Sequence, residues 1–211
     1  MSTPGGASLI RPFIARTTWE PFPDMDDVIA HAGRVAHGDE TPADRDAHGV
    51  LWSRQIHAPD QGLPVYGKIH SARQRRAMLY LLCQICGQEP DENTDGILWL
   101  LPTLPGQPPA DDGNGIITTY PPVCRLCTHL ALRQCPPLRH AHAVLRVREV
   151  QVHGVSGAAF TLTGSAAVFR EAVDYPYGDP ALATVVAVQQ LLRLTDYCET
   201  PGEITATDPA R

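Results

Sequence analysis

Two cysteine pairs constrain the fold of this chain more than any other feature. Two residues separate Cys83 from Cys86 in "LLCQICGQ", and two separate Cys124 from Cys127 in "PPVCRLCTHL". A tight turn with this spacing aims both sulfur atoms at one point, and a second pair returned by the fold completes a tetrahedron. We therefore expect Cys83, Cys86, Cys124 and Cys127 to bind one Zn²⁺.

A zinc ion saturated by four thiolates has no open position for water or substrate. Such a site contributes folding free energy and does not catalyse. Four buried, reduced cysteines without a metal, an iron site, a redox role and disulfides remain alternatives at this level. Cys135 and Cys198 are either spare ligands or buried thiols, and free cysteines are commonly buried.

The N-terminal residues lack the basic region and long apolar run of a secretory signal. The longest apolar runs are far shorter than the ~18 residues that a membrane-spanning helix needs. We expect a cytoplasmic protein with no membrane partner, in which cysteines stay reduced and paired ones bind metal rather than form disulfides.

The pattern of apolar residues predicts an α+β fold in which a treble-clef-like zinc module packs with a β-meander and a C-terminal helix. Residues 1–22 are expected to be loose, and residues 199–211 to form a frayed tail. A single domain is expected over residues 23–198, with the zinc module at about residues 72–140.

Individual elements follow from periodicity and capping residues. Apolar residues at helical spacing predict a helix over residues 25–38, capped by Asp24, and a second helix after Ser71. Strands are expected at residues 96–102 and 116–120, forming a hairpin between the cysteine pairs. Alternation from His142 onward predicts a three-strand meander, with a break between "HAVLRVREVQVHG" and "GAAFTLTG". Asp179 and Pro180 predict the start of a C-terminal helix that is apolar nearly all round.

Residues 72–135, with "LLCQICG" and "CRLCTHL", resemble the metal-binding frame of HNH-type endonucleases. That family embeds its catalytic unit in a treble clef, and an Asp-His pair on the first hairpin strand supplies the general base. Asp95 matches the aspartate, but Gly96 stands at the histidine position, and His129 is one place late after the last cysteine. The resemblance implies the fold more than the activity, and it leaves Asp95 and His129 as catalytic candidates of a divergent nuclease.

The whole chain also resembles a group of uncharacterised zinc-knuckle proteins from high-GC bacteria. The shared pattern runs through "RQRRAM", "LLCQICG", "GILWLL" and "PPVCRLC". This resemblance adds no function.

Three arginines, Arg73, Arg75 and Arg76, lie on the short helix that leads into the first cysteine pair. They form either a phosphate-contacting patch for a nucleic acid or a solvated helix face. The net charge of −6 argues against nucleic-acid binding by bulk electrostatics. We therefore expect a zinc-stabilised binding or adaptor protein, with a protein partner slightly favoured over nucleic acid.

Overall fold

The computed structural model describes residues 10–23 and 25–204. Within these residues the fold is mixed α/β and consists mostly of strands. The strands are β1 (Ala15–Thr17), β2 (Val28–His31), β3 (Arg34–His37), β4 (Leu51–Trp52), β5 (Pro64–Ile69), β6 (Glu92–Asn93), β7 (Gly96–Pro102), β8 (Ile116–Thr118), β9 (His142–Thr163), β10 (Ala166–Pro176) and β11 (Val185–Glu199). The α-helices are α1 (Ser71–Leu79), α2 (Arg125–Gln134) and α3 (Pro136–His140). Short 3-10 helices span Pro42–Asp44 and Pro180–Thr184.

Nine strands form one sheet, built around the long antiparallel pair β9 and β11. One edge of β9 pairs with β11, while β7 and β10 share its other edge. The outer edge of β11 is likewise shared by β4, which runs parallel to it, and by antiparallel β8. Strands β1 and β5 form a separate two-stranded sheet.

Helices cover both faces of the sheet where β7 lies. Successive residues of a strand point to opposite faces, so β7 contributes to the cluster on each side. Trp99 and Leu101 pack in a cluster with Met78 of α1. Leu98 and Leu100 pack on the other face in a cluster with Leu132 of α2. A strand buried on both faces has a continuous apolar run, which is why "GILWLLP" was recognisable as a strand. That prediction is confirmed. The helix expected after Ser71 is also present, but its N-cap is His70, whose side chain accepts the N–H of Arg73.

The predicted C-terminal helix is wrong. Asp179 does cap a helical turn, since its side chain accepts the N–H of Ala181, but the turn is the short 3-10 helix Pro180–Thr184. The chain then continues as strand β11, paired with β9 over most of its length. Apolar residues occur all round "VVAVQQLLRL" because much of both faces of the strand is covered, a pattern that periodicity alone cannot distinguish from a buried helix.

The predicted helix over residues 25–38 is also wrong. Strands β2 and β3 form a hairpin there, with a two-residue turn at Ala32 and Gly33. The proposed cap, Asp24, lies outside the described residues. Pairing with β10 at Ala166 attaches the hairpin to the large sheet, and this long-range contact overrides the local helical spacing.

The β-meander has fewer strands than the sequence predicted. The segments "HAVLRVREVQVHG" and "GAAFTLTG" are a single strand of 22 residues, β9, so two strands replace the three expected. Gly157 does not interrupt this strand. A Cβ at this position would lie 2.2 Å from the carbonyl oxygen of Val186 on β11, so the residue allows close approach of two backbones.

Loose segments were expected over residues 1–22 and 199–211, and the structure describes residues 10–22 and 199–204 of them. In the described part of the first segment, β1 pairs with β5 and Glu20 is fully buried. In the described part of the second, Ile204 is 2% exposed and packs on the α2 side of the sheet. The described residues of both segments therefore contribute to the buried interior.

The hairpin expected from residues 96–102 and 116–120 does not form. Strand β7 pairs with β9, and β8 pairs with β11. A much smaller hairpin, β6 with β7, lies between the two cysteine pairs instead.

Candidate metal centre

The first cysteine pair lies in a tight turn after α1. The N–H of Cys83 donates to the carbonyl oxygen of Gln88 at 2.7 Å, and the N–H of Gly87 donates back to the carbonyl oxygen of Cys83 at 2.8 Å. The N-terminal segment holds this turn from outside, since Phe13 donates its N–H to the carbonyl oxygen of Ile85 at 2.8 Å. The turn is thus fixed both by its own backbone and by a distant segment.

The second pair lies at the start of α2. Cys124 is the N-cap residue and Cys127 is in the first turn, where N–H groups and the helix dipole favour thiolates. Just before the helix, the N–H of Val123 donates to the carbonyl oxygen of Leu98 at 3.0 Å. This bond attaches the helix start to strand β7. The N–H of Gln84 donates to the carbonyl oxygen of Pro122 at 2.9 Å, which joins the turn of the first pair to the segment before the second pair.

The four cysteines form one cluster. The sulfur atoms of Cys83, Cys86, Cys124 and Cys127 all lie within 4.8 Å of one another. The Sγ atoms of Cys86 and Cys124 are 3.9 Å apart. A tetrahedral zinc ion with Zn–S bonds of ~2.3 Å needs sulfur atoms separated by about 3.8 Å. The spacing and the all-sulfur donor set therefore fit a metal ion such as zinc.

Hydrogen bonds and burial shift the pKa values of three of the four cysteines. A hydrogen bond from the Cys127 thiol, together with the N–H groups of Cys86, Cys124 and Ile85, lowers the pKa of Cys83 to about 5 despite burial. Burial raises the pKa of Cys86 to about 11. The same hydrogen bond to Cys83 raises the pKa of Cys127 above its usual range. Four thiolates at this separation repel one another, and a bound dication would offset part of that repulsion.

The remaining two cysteines do not belong to this cluster. Cys135 is half-buried at the C-terminal end of α2, and Cys198 is half-buried on β11, opposite Arg146 of β9. Neither is a member of the metal-ligating groups formed by the described residues. The four residues of the two close-spaced pairs are therefore the ones that converge.

The candidates Asp95 and His129 are placed in different environments. Asp95 is exposed in the turn between β6 and β7, where its carboxylate lies 3.7 Å from Arg148. His129 lies on α2 and is 2% exposed. Neither belongs to a metal-ligating group within the described residues. A histidine does not fit at position 96, since Gly96 has φ +117° and a Cβ there would lie 2.3 Å from the carbonyl oxygen of Val147.

The three arginines of α1 do not share one surface. Arg73 is 3% exposed and points into the protein, where its guanidinium pairs with the buried carboxylate of Glu20. Arg75 is half-buried against the ring of Trp52, and Arg76 is exposed. Because Arg73 is buried and paired whereas Arg76 is exposed, the basic surface of α1 excludes Arg73.

Sequence reasoning missed a second cluster, made of Glu20, His57 and His70, whose ligand atoms also lie within 4.8 Å of one another. Metal binding does not fit here. Both oxygens of Glu20 accept hydrogen bonds from Arg73, and a guanidinium in the site opposes a cation. The N–H of Arg73 donates to Nδ1 of His70, so Nε2 carries the proton and faces the carbonyl oxygen of Ile56. Burial and the charge of Arg73 lower the pKa of His70, which keeps it neutral.

No local pattern marks this second cluster, because its members come from three separate segments of the chain. The buried Glu20 lies in a segment that the sequence predicted to be loose. The ion pair between Arg73 and Glu20 therefore could not be predicted from the sequence.

A comparison of the chain with protein-family models, with curated proteins and with solved structures finds no match. The assignment therefore depends on the geometry of the site itself. Among the described residues, none of the helices has the length and apolar character that crossing a bilayer requires.

Proposed function

We propose that Cys83, Cys86, Cys124 and Cys127 bind one Zn²⁺ through four thiolates, and that this site stabilises the fold of a binding protein. The convergence of the four sulfur atoms within 4.8 Å is the observation that carries the proposal. Borderline-soft Zn²⁺ suits four thiolate ligands in a tetrahedron better than the hard cations Mg²⁺ or Ca²⁺ do.

The role of the metal is structural because four thiolates leave no coordination position for a substrate. The ion would join the turn after α1 to the start of α2, two segments that otherwise meet through few backbone bonds. The order of turn, small β6–β7 hairpin and helix α2 supports a treble-clef arrangement of this module. Metal binding would then contribute directly to the free energy of folding.

The partner that we propose is another protein. The net charge of −6 and the inward orientation of Arg73 leave little exposed basic surface for a nucleic acid. Exposed apolar side chains lie together near β1 and β5, where Trp19 and Leu63 are 64% and 71% exposed. Their segments are joined by the bond from the N–H of Thr18 to the carbonyl oxygen of Leu63. Contiguous exposed apolar side chains are typical of protein-binding surfaces.

Metal analysis of the purified chain tests the zinc site. We expect about one zinc per chain, with an X-ray absorption spectrum of four sulfur neighbours at about 2.3 Å. Cys83→Ser and Cys127→Ser should each lose most of the zinc, whereas the matched controls Cys135→Ser and Cys198→Ser should retain it. Folded protein without bound metal, or a coordination sphere with fewer than four sulfurs, would contradict the assignment.

Binding to DNA tests the preference for a protein partner. Anisotropy of a labelled 20-base-pair duplex should show no saturable binding at about 150 mM salt. Binding whose affinity falls steeply with salt concentration would instead assign a nucleic-acid partner, because counterion release produces that dependence.

The nuclease alternative has no support from the geometry, since Asp95 is exposed in a turn and His129 is buried on α2. Asp95→Ala should leave the zinc content unchanged. DNA cleavage that depends on a divalent ion and is lost in Asp95→Ala or His129→Ala would restore that alternative.

A further inference from the structure

An open cavity of about 410 Å³ lies between one face of α1 and the segment that contains β4. The helix contributes positions 72, 75, 76 and 79, which recur at the spacing of a single helix face. The opposite wall includes Trp52 and Arg54. No cysteine lines this cavity, so its role does not depend on the metal centre.

The charges that line the cavity do not cancel. Arg54 is neutralised by two carboxylates: its Nε and Nη2 atoms donate to both oxygens of Asp44 at 2.8 and 2.7 Å, and its Nη1 atom donates to exposed Asp39. Asp44 is the only acidic residue among those that line the cavity. Within residues 10–23 and 25–204, neither Arg75 nor Arg76 has a carboxylate partner. Two guanidinium groups without a carboxylate partner therefore face one small space, in a chain whose net charge is −6.

Arg75 is held in place but lacks hydrogen-bond acceptors. Its guanidinium carbon lies 4.2 Å from the centroid of the Trp52 ring, which fixes the plane of the group. Its Nε atom is buried and has no hydrogen-bond partner among the described residues. Because Nε is covered, an anion in the cavity would contact the Nη atoms of Arg75 instead, through charge-assisted hydrogen bonds.

We propose that this cavity binds a phosphate dianion through Arg75 and Arg76. Two guanidinium groups match the two charges of a phosphate monoester or of free phosphate, and each presents N–H groups in the planar geometry that phosphate oxygens accept. The first turn of α1 adds a favourable dipole through Ala72, which also lines the cavity. Exposed Tyr80 and Leu79 at the rim provide apolar contact for an organic group attached to the phosphate.

The test is a titration of the ¹⁵N-labelled, zinc-loaded full chain, first with inorganic phosphate and then with phenyl phosphate. The Nε–Hε signals of Arg75 and Arg76 should shift saturably. Arg76→Gln should weaken binding at least about tenfold, because a charge-assisted contact is lost. Arg76 is exposed, so this variant should keep the backbone spectrum of the parent protein.

Arg170→Gln is the matched control. It removes the same charge from a half-exposed arginine on β10 that pairs with Glu171, and it should bind phosphate like the parent. Tighter binding of phenyl phosphate than of inorganic phosphate identifies a phosphate ester as the ligand, whereas equal binding identifies free phosphate. Absence of saturable shifts with both ligands, or equal affinity in Arg76→Gln, would overturn the proposal.

Discussion

The guanidinium of Arg73 donates two hydrogen bonds to the carboxylate of Glu20, 53 residues earlier in the chain, at 2.6 and 2.7 Å. Both side chains are buried. Arg73 also donates to the carbonyl oxygens of Phe13 and Ala15. This ion pair attaches the N-terminal segment to α1, and through the bond from Phe13 to Ile85 it supports the turn of the first cysteine pair.

Glu20→Gln is expected to destabilise the protein by about 3–5 kcal/mol, because it leaves the guanidinium of Arg73 buried without its counter-charge. Urea denaturation measures this difference. Glu171→Gln is the control: Glu171 pairs with Arg170 where both side chains are at least half exposed, and its loss should cost about 1 kcal/mol or less. Equal effects in the two variants would contradict a buried, uncompensated charge.

The Glu20 pair should also affect the pH dependence of stability. Burial alone would raise the pKa of Glu20, but hydrogen bonds from Arg73 and from the N–H groups of Thr17 and Ala58 lower it from 4.5 to about 2. A carboxyl whose pKa is lower in the folded state contributes stability above its unfolded value. That contribution is fully present above about pH 5 and is lost as the pH falls from 4.5 towards 2.

This pKa shift corresponds to a contribution on the order of 3 kcal/mol. The free energy of unfolding should therefore fall less steeply between about pH 5 and 2 in Glu20→Gln than in the parent. Protonation of the four clustered cysteines affects both proteins alike, so the difference between the two curves isolates Glu20. Parallel curves would show that its pKa is not lowered by folding.

Gly157→Ala should destabilise the long strand pair β9–β11. The added Cβ would meet the carbonyl oxygen of Val186 at 2.2 Å, so the strands must move apart at a cost of about 1–3 kcal/mol or more. Gly38→Ala is the matched control, because no atom lies within 4 Å of a Cβ there. Thermal unfolding should separate the two variants, and a neutral Gly157→Ala would show that the contact relaxes freely.

Ile204→Ala tests whether the described part of the C-terminal segment belongs to the core. Ile204 is 2% exposed and packs in the cluster that contains Leu98 and Leu132, so its truncation should cost about 2–4 kcal/mol. Val168→Ala, at a side chain that is 57% exposed, should cost less than about 1 kcal/mol. Similar losses in chemical denaturation would indicate that the segment contributes little.

The spacing of the cysteines predicted the membership of the candidate site, because two ligands with two residues between them are brought together by a local turn. The position of one pair against the other was not available from spacing. It depends on the bond from Val123 to Leu98 and on the packing of α2 against β7. The surroundings of Asp95 and His129 were likewise not available from spacing. Asp95 is exposed in a turn, and His129 lies on a buried face of α2.

Local chemistry in the sequence by itself determined the paired cysteines, the helix after Ser71, the strand over residues 96–102 and the capped turn at Asp179. Each of these depends on residues that are close together in the chain. Only the tertiary structure decided that residues 185–199 form a strand, that residues 28–37 form a hairpin and that Arg73 faces Glu20. The periodicity of apolar residues shows which side of an element is buried. An element that is buried on both sides has no such periodicity, and the pattern then does not distinguish a strand from a helix. The pairing of strands and charges between distant segments is decided by which surfaces the fold brings into contact.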